Sequence, residues 1–197
     1  MNKLDPSAVW PFPSKQLPDD KFIEHTTIDS PVAGTHRRYT PPAPGQLWPS
    51  QGGIYAGIIT GDDGKAYHLV FAEAGSAGDF AQCTWGERGI DVAGAKSHRD
   101  GMPNTIAMAE AGCSLALQAR ALTLGEYTDW YIPARHELRL AYVNAASCFG
   151  TDDYYWSSTQ YSAINAWSQY FAGGYQYPWL KDNEFRARAV RRFSVIE

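Results

Sequence analysis

Cysteine is scarce in this chain: Cys83, Cys113 and Cys148 are the only three among 197 residues. An odd number without C-x-x-C spacing builds neither a disulfide framework nor a structural zinc site, so these thiols read as small buried hydrophobes. No apolar run approaches the length that crosses a bilayer, and the start, MNKLDPSAVWPFP, lacks the apolar stretch of a secretory signal. The expectation is therefore no membrane insertion and synthesis in a bacterial cytoplasm without Sec export. Basic charge is also short, with 17 Lys and Arg against 21 Asp and Glu and a net charge of -4, which leaves no footprint for nucleic acid. The catalytic patterns G-x-S-x-G, H-E-x-x-H and G-x-x-x-x-G-K-[ST] do not occur. Chemistry is not where this sequence points, and no cofactor is expected.

Proline is concentrated at the front. Pro6, Pro11, Pro13, Pro18, Pro31, Pro41, Pro42, Pro44 and Pro49 fall in residues 1–50. Each removes a backbone donor and fixes φ, so the stretch reads as an extended arm and not as regular structure. Trp10, Phe12, Phe22, Ile23, Tyr39 and Trp48 within it are too many apolar anchors for a plain linker, and they predict that the arm lies along a neighbouring surface. Residues 51–197, with a sequence that is 44% hydrophobic overall, suffice for one globular domain.

Within that domain, residues 53–60 and 65–74 are β-branched and aromatic runs separated by Gly61-Asp62-Asp63-Gly64, the pattern of a β-hairpin. His68 reads there as a plain strand residue. Residues 75–101 are glycine-rich and read as irregular, with one short strand near 80–85. Met108, Ala111, Leu115, Ala119 and Leu122 then recur at helical spacing, which predicts one helix of about five turns capped by Asn104 and ended by Gly125. A second helix opens at Pro133 and runs to Ala145, with Leu138, Ala141, Tyr142 and Ala145 inward and His136-Glu137 at the surface of its first turn. Short strands follow at 155–158, 166–171 and 187–193, with a Gly173-Gly174 turn and a loop over 176–184 tipped by Trp179. Two helices against a small, mostly antiparallel sheet make an α+β domain.

The last third carries the functional expectation. Between Asp152 and Arg192, eleven aromatic residues stand among Ser, Gln, Asn and Gly with few aliphatics. Tyr and Trp offer large rigid area at low entropic cost, and the small polar residues supply adaptable hydrogen bonds, which is the composition of a recognition surface. Asp152 and Asp153 read as turn residues.

Specific motifs sharpen this. Trp130-Tyr131-Ile132-Pro133 with Glu137-Leu138, then Trp156-Ser157-Ser158-Thr159, Ala166-Trp167 and Arg188-Ala189-Val190-Arg191 resemble the DUF1566 family pattern W-x-L-P-x-x-x-E-L, W-S-S-T, A-W, R-x-V-R. The resemblance covers about 54–193 and implies a C-type-lectin-like fold. The stretch 154–192 further resembles the variable region of proteins diversified by retroelements, in which a fixed frame alternates with exchangeable positions. On that resemblance the frame is Tyr155, Trp156, Ser157, Ser158, Thr159, Ala166, Trp167, Phe171, Gly173, Arg186, Arg188 and Arg191. The ligand-binding positions would be Tyr161, Ile164, Asn165, Ser168, Tyr170, Ala172, Tyr175, Tyr177, Trp179, Leu180, Asp182 and Phe185, with Gly174, Pro178 and Glu184 also exchangeable. It implies a phage or prophage tail-tip adhesin in a virion, which binds a host cell-surface protein or glycan and other tail proteins through the arm, as a homo-oligomer with a trimer favoured.

Three other readings stay open. The same fold hosts formylglycine-generating enzymes, but their chemistry needs a paired cysteine site that this sequence lacks. A carbohydrate-binding domain of a bacterial surface protein is closer. With calcium it would draw oxygens from Lys181-Asp182-Asn183-Glu184, although the Glu-Pro-Asn, Gln-Pro-Asp and Trp-Asn-Asp tripeptides of C-type lectins do not occur. The third is a structural virion protein whose aromatic face meets only its own assembly.

Overall fold

The hairpin forms where its apolar runs and turn chemistry place it. Gly53–Thr60 (β2) and Ala66–Phe71 (β3) pair antiparallel, and Gly64 takes the left-handed backbone that the turn needs. The structure is a computed structural model that describes residues 40–195. Of the expected arm, Trp10, Phe12, Phe22, Ile23 and Tyr39 lie outside the described residues. Its last part belongs to the fold: Leu47–Trp48 (β1) pairs with β2, and Trp48 is buried against Tyr55 and Val70. A two-residue edge strand is what Pro49 permits.

The chain closes on itself. Val190–Ser194 (β9) pairs with β3, giving a four-stranded antiparallel sheet in the order β1-β2-β3-β9. A second sheet is built from Asp79–Cys83 (β4), Tyr154–Gln160 (β5), Asn165–Tyr170 (β6), Gln176–Leu180 (β7) and Phe185–Arg188 (β8), in the order β4-β8-β5-β6-β7. Only β5 and β8 run parallel. Three helices pack on these sheets, Gly101–Glu110 (α1), Ser114–Arg120 (α2) and Arg135–Ala145 (α3). The domain is α+β.

The expected single helix is two. Gly112 sits at φ +79° and closes α1, with Gly112 N–H donating to Ala109 O and Cys113 N–H to Met108 O, the paired bonds of a Schellman end. Ala111 is consequently exposed, and Asn104 is no cap. It lies buried inside α1, where its side chain exchanges hydrogen bonds with the Ser97 backbone. The loop expected over 176–184 is largely the edge strand β7, where Pro178 is tolerated because one side of the strand has no partner among the described residues.

Glu137 is not at the surface. It is fully buried, and its carboxylate accepts N–H bonds from Ala134 (2.6 Å) and Gly101 (3.2 Å) and the hydroxyl of Tyr131 (2.7 Å). One side chain thus joins the start of α3 to the start of α1. The approach is close enough that a Cβ on Gly101 would lie 2.5 Å from Ile132 O and 2.6 Å from Ala134 N.

Two cores flank the second sheet. Trp156 enters one with Trp85, Met108, Leu115 and Ile132, and its neighbour Tyr155 enters the other with Leu69, Phe71, Leu138 and Phe171. Residues 85–95, read as irregular, cover the first core. Buried Lys181 holds them, its Nζ donating to Ile90 O and Gln160 Oε1 at 2.6 Å each and lying 4.4 Å from the centre of the Trp85 ring. Two of the three frame arginines are buried too, Arg188 forking onto Asp79 and Arg191 onto Asp129, while Arg186 is half-buried. Trp167 differs from the other frame tryptophan, being only half-buried.

Two outcomes follow. Trp156→Ala is expected to cost roughly 3 to 5 kcal/mol in denaturant unfolding, and Trp167→Ala only about 1 to 2. Burial pushes Glu137 up to about 7, against the hydrogen bonds and Arg192, which favour its anion. A group whose pKa rises on folding stabilises fully below its unfolded value, and that stability is lost as pH climbs through the folded one. Wild type is therefore expected to lose roughly 3 kcal/mol between pH 4 and pH 8 relative to Glu137→Gln, measured by paired denaturant curves.

Candidate ligand-binding surface

In a strand, successive side chains point to opposite faces, so β6 sorts its own residues. Ala166, Ser168 and Tyr170 point to one face and Asn165, Trp167 and Gln169 to the other. The register carries the sorting across to β7: Trp179 stands opposite Ala166, Tyr177 opposite Ser168, Pro178 opposite Trp167 and Leu180 opposite Asn165. Tyr154, opposite Tyr170 on β5, and Phe185, beside Trp156, complete the first face.

On that face the rings converge. Tyr154 lies 5.0 Å from Tyr170, 5.6 Å from Trp179 and 5.2 Å from Phe185 between ring centres, and Trp179 lies 6.0 Å from Phe185. Tyr177 is 50% exposed and Trp179 38% exposed, while Trp156 is fully buried 4.8 Å behind Phe185. The result is an open aromatic layer backed by a rigid one. Tyr175 extends it, its ring 6.3 Å from Tyr177.

The twelve expected positions do not form one patch. Tyr170, Tyr177, Trp179 and Phe185 share the open face, with Tyr175 and exposed Ala172 on the adjoining turn. Ser168 is a correction. It is buried, and its hydroxyl donates to Tyr177 O at 3.0 Å, because alternation aims it beneath the aromatic layer. Asn165 and Leu180 are half-buried on the reverse face, with Asn165 Nδ2 donating to Pro178 O. Tyr161 and Ile164 stand exposed at the turn between β5 and β6. Asp182 lies at the same end, just past Lys181, whose N–H donates to Ile164 O at 3.0 Å, and it faces Arg88 at 3.6 Å. Tyr154 was absent from the expected set, although its alternation with Tyr155 places it beside Trp156 and so on the open face.

The chemistry available there is stacking and hydrogen bonding. Cys83 lies beneath the edge, donating to Phe185 O at 3.2 Å, and burial, then Asp153 and Glu184, push its thiol up to about 12. Such a thiol stays protonated and unreactive at neutral pH. Among the described residues, no three of His, Cys, Asp and Glu come together as ligands for a metal ion. In the stretch read as possible calcium ligands, Lys181 instead turns its ammonium inward, and Asp182 is engaged by Arg88. Asp152 and Asp153 act at a turn, one paired with Arg186 at 3.0 Å and the other accepting the N–H of Tyr154.

Because Tyr177 and Trp179 sit outside the buried layer, Tyr177→Ala and Trp179→Ala are each expected to cost about 1 kcal/mol or less in thermal or denaturant unfolding. Compared with known proteins, the chain matches no family model and no curated sequence.

Proposed function

We propose that this protein is a recognition protein whose open aromatic face binds a molecule on another cell's surface. The observation that carries the reading is the convergence of Tyr154, Tyr170, Tyr177, Trp179 and Phe185 on one exposed face above a buried layer. Rigid aromatic anchors over a locked support are what a binding surface needs, since little side-chain entropy is lost on contact. The motif resemblance extends the proposal. The domain would have a C-type-lectin-like fold, serve as a phage or prophage tail-tip adhesin, and carry a contact surface diversified by a retroelement. The α+β architecture is compatible with that fold. Exchange at Tyr175, Tyr177, Trp179 and Asp182 would leave the cores untouched, which is the physical condition for diversification. The proline-rich arm would dock the domain to tail proteins or to sister copies, and several copies would gain avidity from weak single contacts.

The direct test is binding of the labelled full chain to intact host-strain cells. Tyr177→Ala/Trp179→Ala is expected to weaken binding at least about thirtyfold, the equivalent of roughly 2 kcal/mol for a central aromatic contact, without loss of the folded state. Undiminished binding by a folded double variant would remove the aromatic face from the reading. Diversification has its own check: a near-copy of the DNA encoding residues 163–192 is expected close to the gene, beside a reverse transcriptase gene, with adenines where the two copies differ.

A further inference from the structure

The reverse face of the second sheet holds a separate group of side chains. Arg135, the first residue of α3, sets its guanidinium over the Trp167 ring, with Cζ 3.6 Å from the ring centre. Its Nε donates to Gln176 Oε1 at 2.8 Å, and Gln176 Nε2 donates back to Arg135 O at 2.8 Å. The stem and the plane of the guanidinium are therefore fixed from two sides. The two terminal nitrogens are not used in this way: among the described residues they meet no hydrogen-bond acceptor, and Arg135 belongs to none of the ion pairs, which engage Arg88, Lys96, Arg186, Arg188, Arg191 and Arg192.

The surroundings are cationic and aromatic in a chain of net charge -4. Arg139, one turn further along α3, also lacks a carboxylate partner among the described residues and is held by Gly174 O at 2.6 Å. The rings of His98 and His136 stand 5.5 Å apart, and both are pushed down from the ordinary histidine value by burial and by neighbouring positive charge, Arg135 included. Asp62, whose charge opposes that shift at both histidines, accepts the hydroxyl of Ser97 at 2.5 Å. At the edge of the cluster Tyr161 stands perpendicular to Trp167, with ring centres 5.3 Å apart, and is 60% exposed.

We infer that Arg135, stacked on Trp167 and braced by Gln176, is a second binding site that takes the carboxylate of an acidic saccharide in its two free nitrogens, with the sugar ring against Tyr161. An arginine fork held in one plane matches a carboxylate bidentately and loses little freedom on binding. An extended acidic peptide is the less suitable occupant. The adjacent sheet edge is β7, whose Pro178 lacks the donor that strand addition needs. This site lies on the face opposite Tyr177 and Trp179, so it stands or falls independently of the aromatic-face reading.

The test is calorimetric titration of the full chain with galacturonate, glucuronate and N-acetylneuraminate oligosaccharides at low salt, each beside its methyl ester. Binding of at least one free acid is expected, with its ester at least tenfold weaker. Arg135→Lys, which keeps the charge and loses the fork, is expected to weaken binding at least tenfold, Tyr161→Ala severalfold, and Trp179→Ala not at all. The inference is overturned if no free acid binds, if ester and acid bind alike, if a folded Arg135→Lys binds as wild type does, or if hexa-aspartate binds more tightly than every saccharide.

Discussion

Strand β5 is buried on both faces, and the rest of the domain is arranged to make that possible. Its neighbours Tyr155 and Trp156 enter different cores, so α3 and the first sheet must cover one face while α1, α2 and the 85–95 segment cover the other. A buried indole needs a partner for its N–H, and here the two large tryptophans supply each other's segments: Trp156 Nε1 donates to Cys83 O, and Trp85 Nε1 to Ser157 O. That reciprocal pair fastens a stretch with no regular structure onto the central strand. Without it, the Trp156 side of β5 would face water.

Buried polar groups then set the register. Lys181, Arg188, Arg191 and Glu137 each sit where an unpartnered charge would be costly, and each is met by a carbonyl, carboxylate or amide from a distant part of the chain, Gly101 N–H in the case of Glu137. Lys181 joins the end of β7 to residues 90 and 160, and Arg188 joins β8 to β4. A slip of one residue would strand these groups, so the geometry of the sheet beneath the open face is strongly specified. The aromatic rings inherit that rigidity because they stand on strands, where a loop would have let them move.

Much of the architecture could be read from residue order. The 53–71 hairpin, α3, the turn at Gly173-Gly174 and the burial of Tyr155, Trp156, Ala166 and Phe171 agree with local pattern. Elsewhere the local pattern is ambiguous. Helical spacing ran through Gly112 because Met108 and Leu115 keep phase across the break, and Glu137 looked superficial because carboxylates usually are. In β7, Pro178 argues against a central strand but permits an edge one, so residue order alone points to a loop there.

What the sequence alone determined is composition and period: an aromatic final third with few aliphatics, alternation that separates inward from outward residues, and glycines at the turns. These are local properties of the backbone and its side chains. Only the tertiary structure decided which outward residues meet. Cross-strand register brought Tyr154, Tyr170, Trp179 and Phe185 together, sent Ser168 inside, and set Arg135 on Trp167, residues 32 positions apart. Pairing between strands depends on how whole sheets fill two cores, and no window of neighbouring residues contains that information.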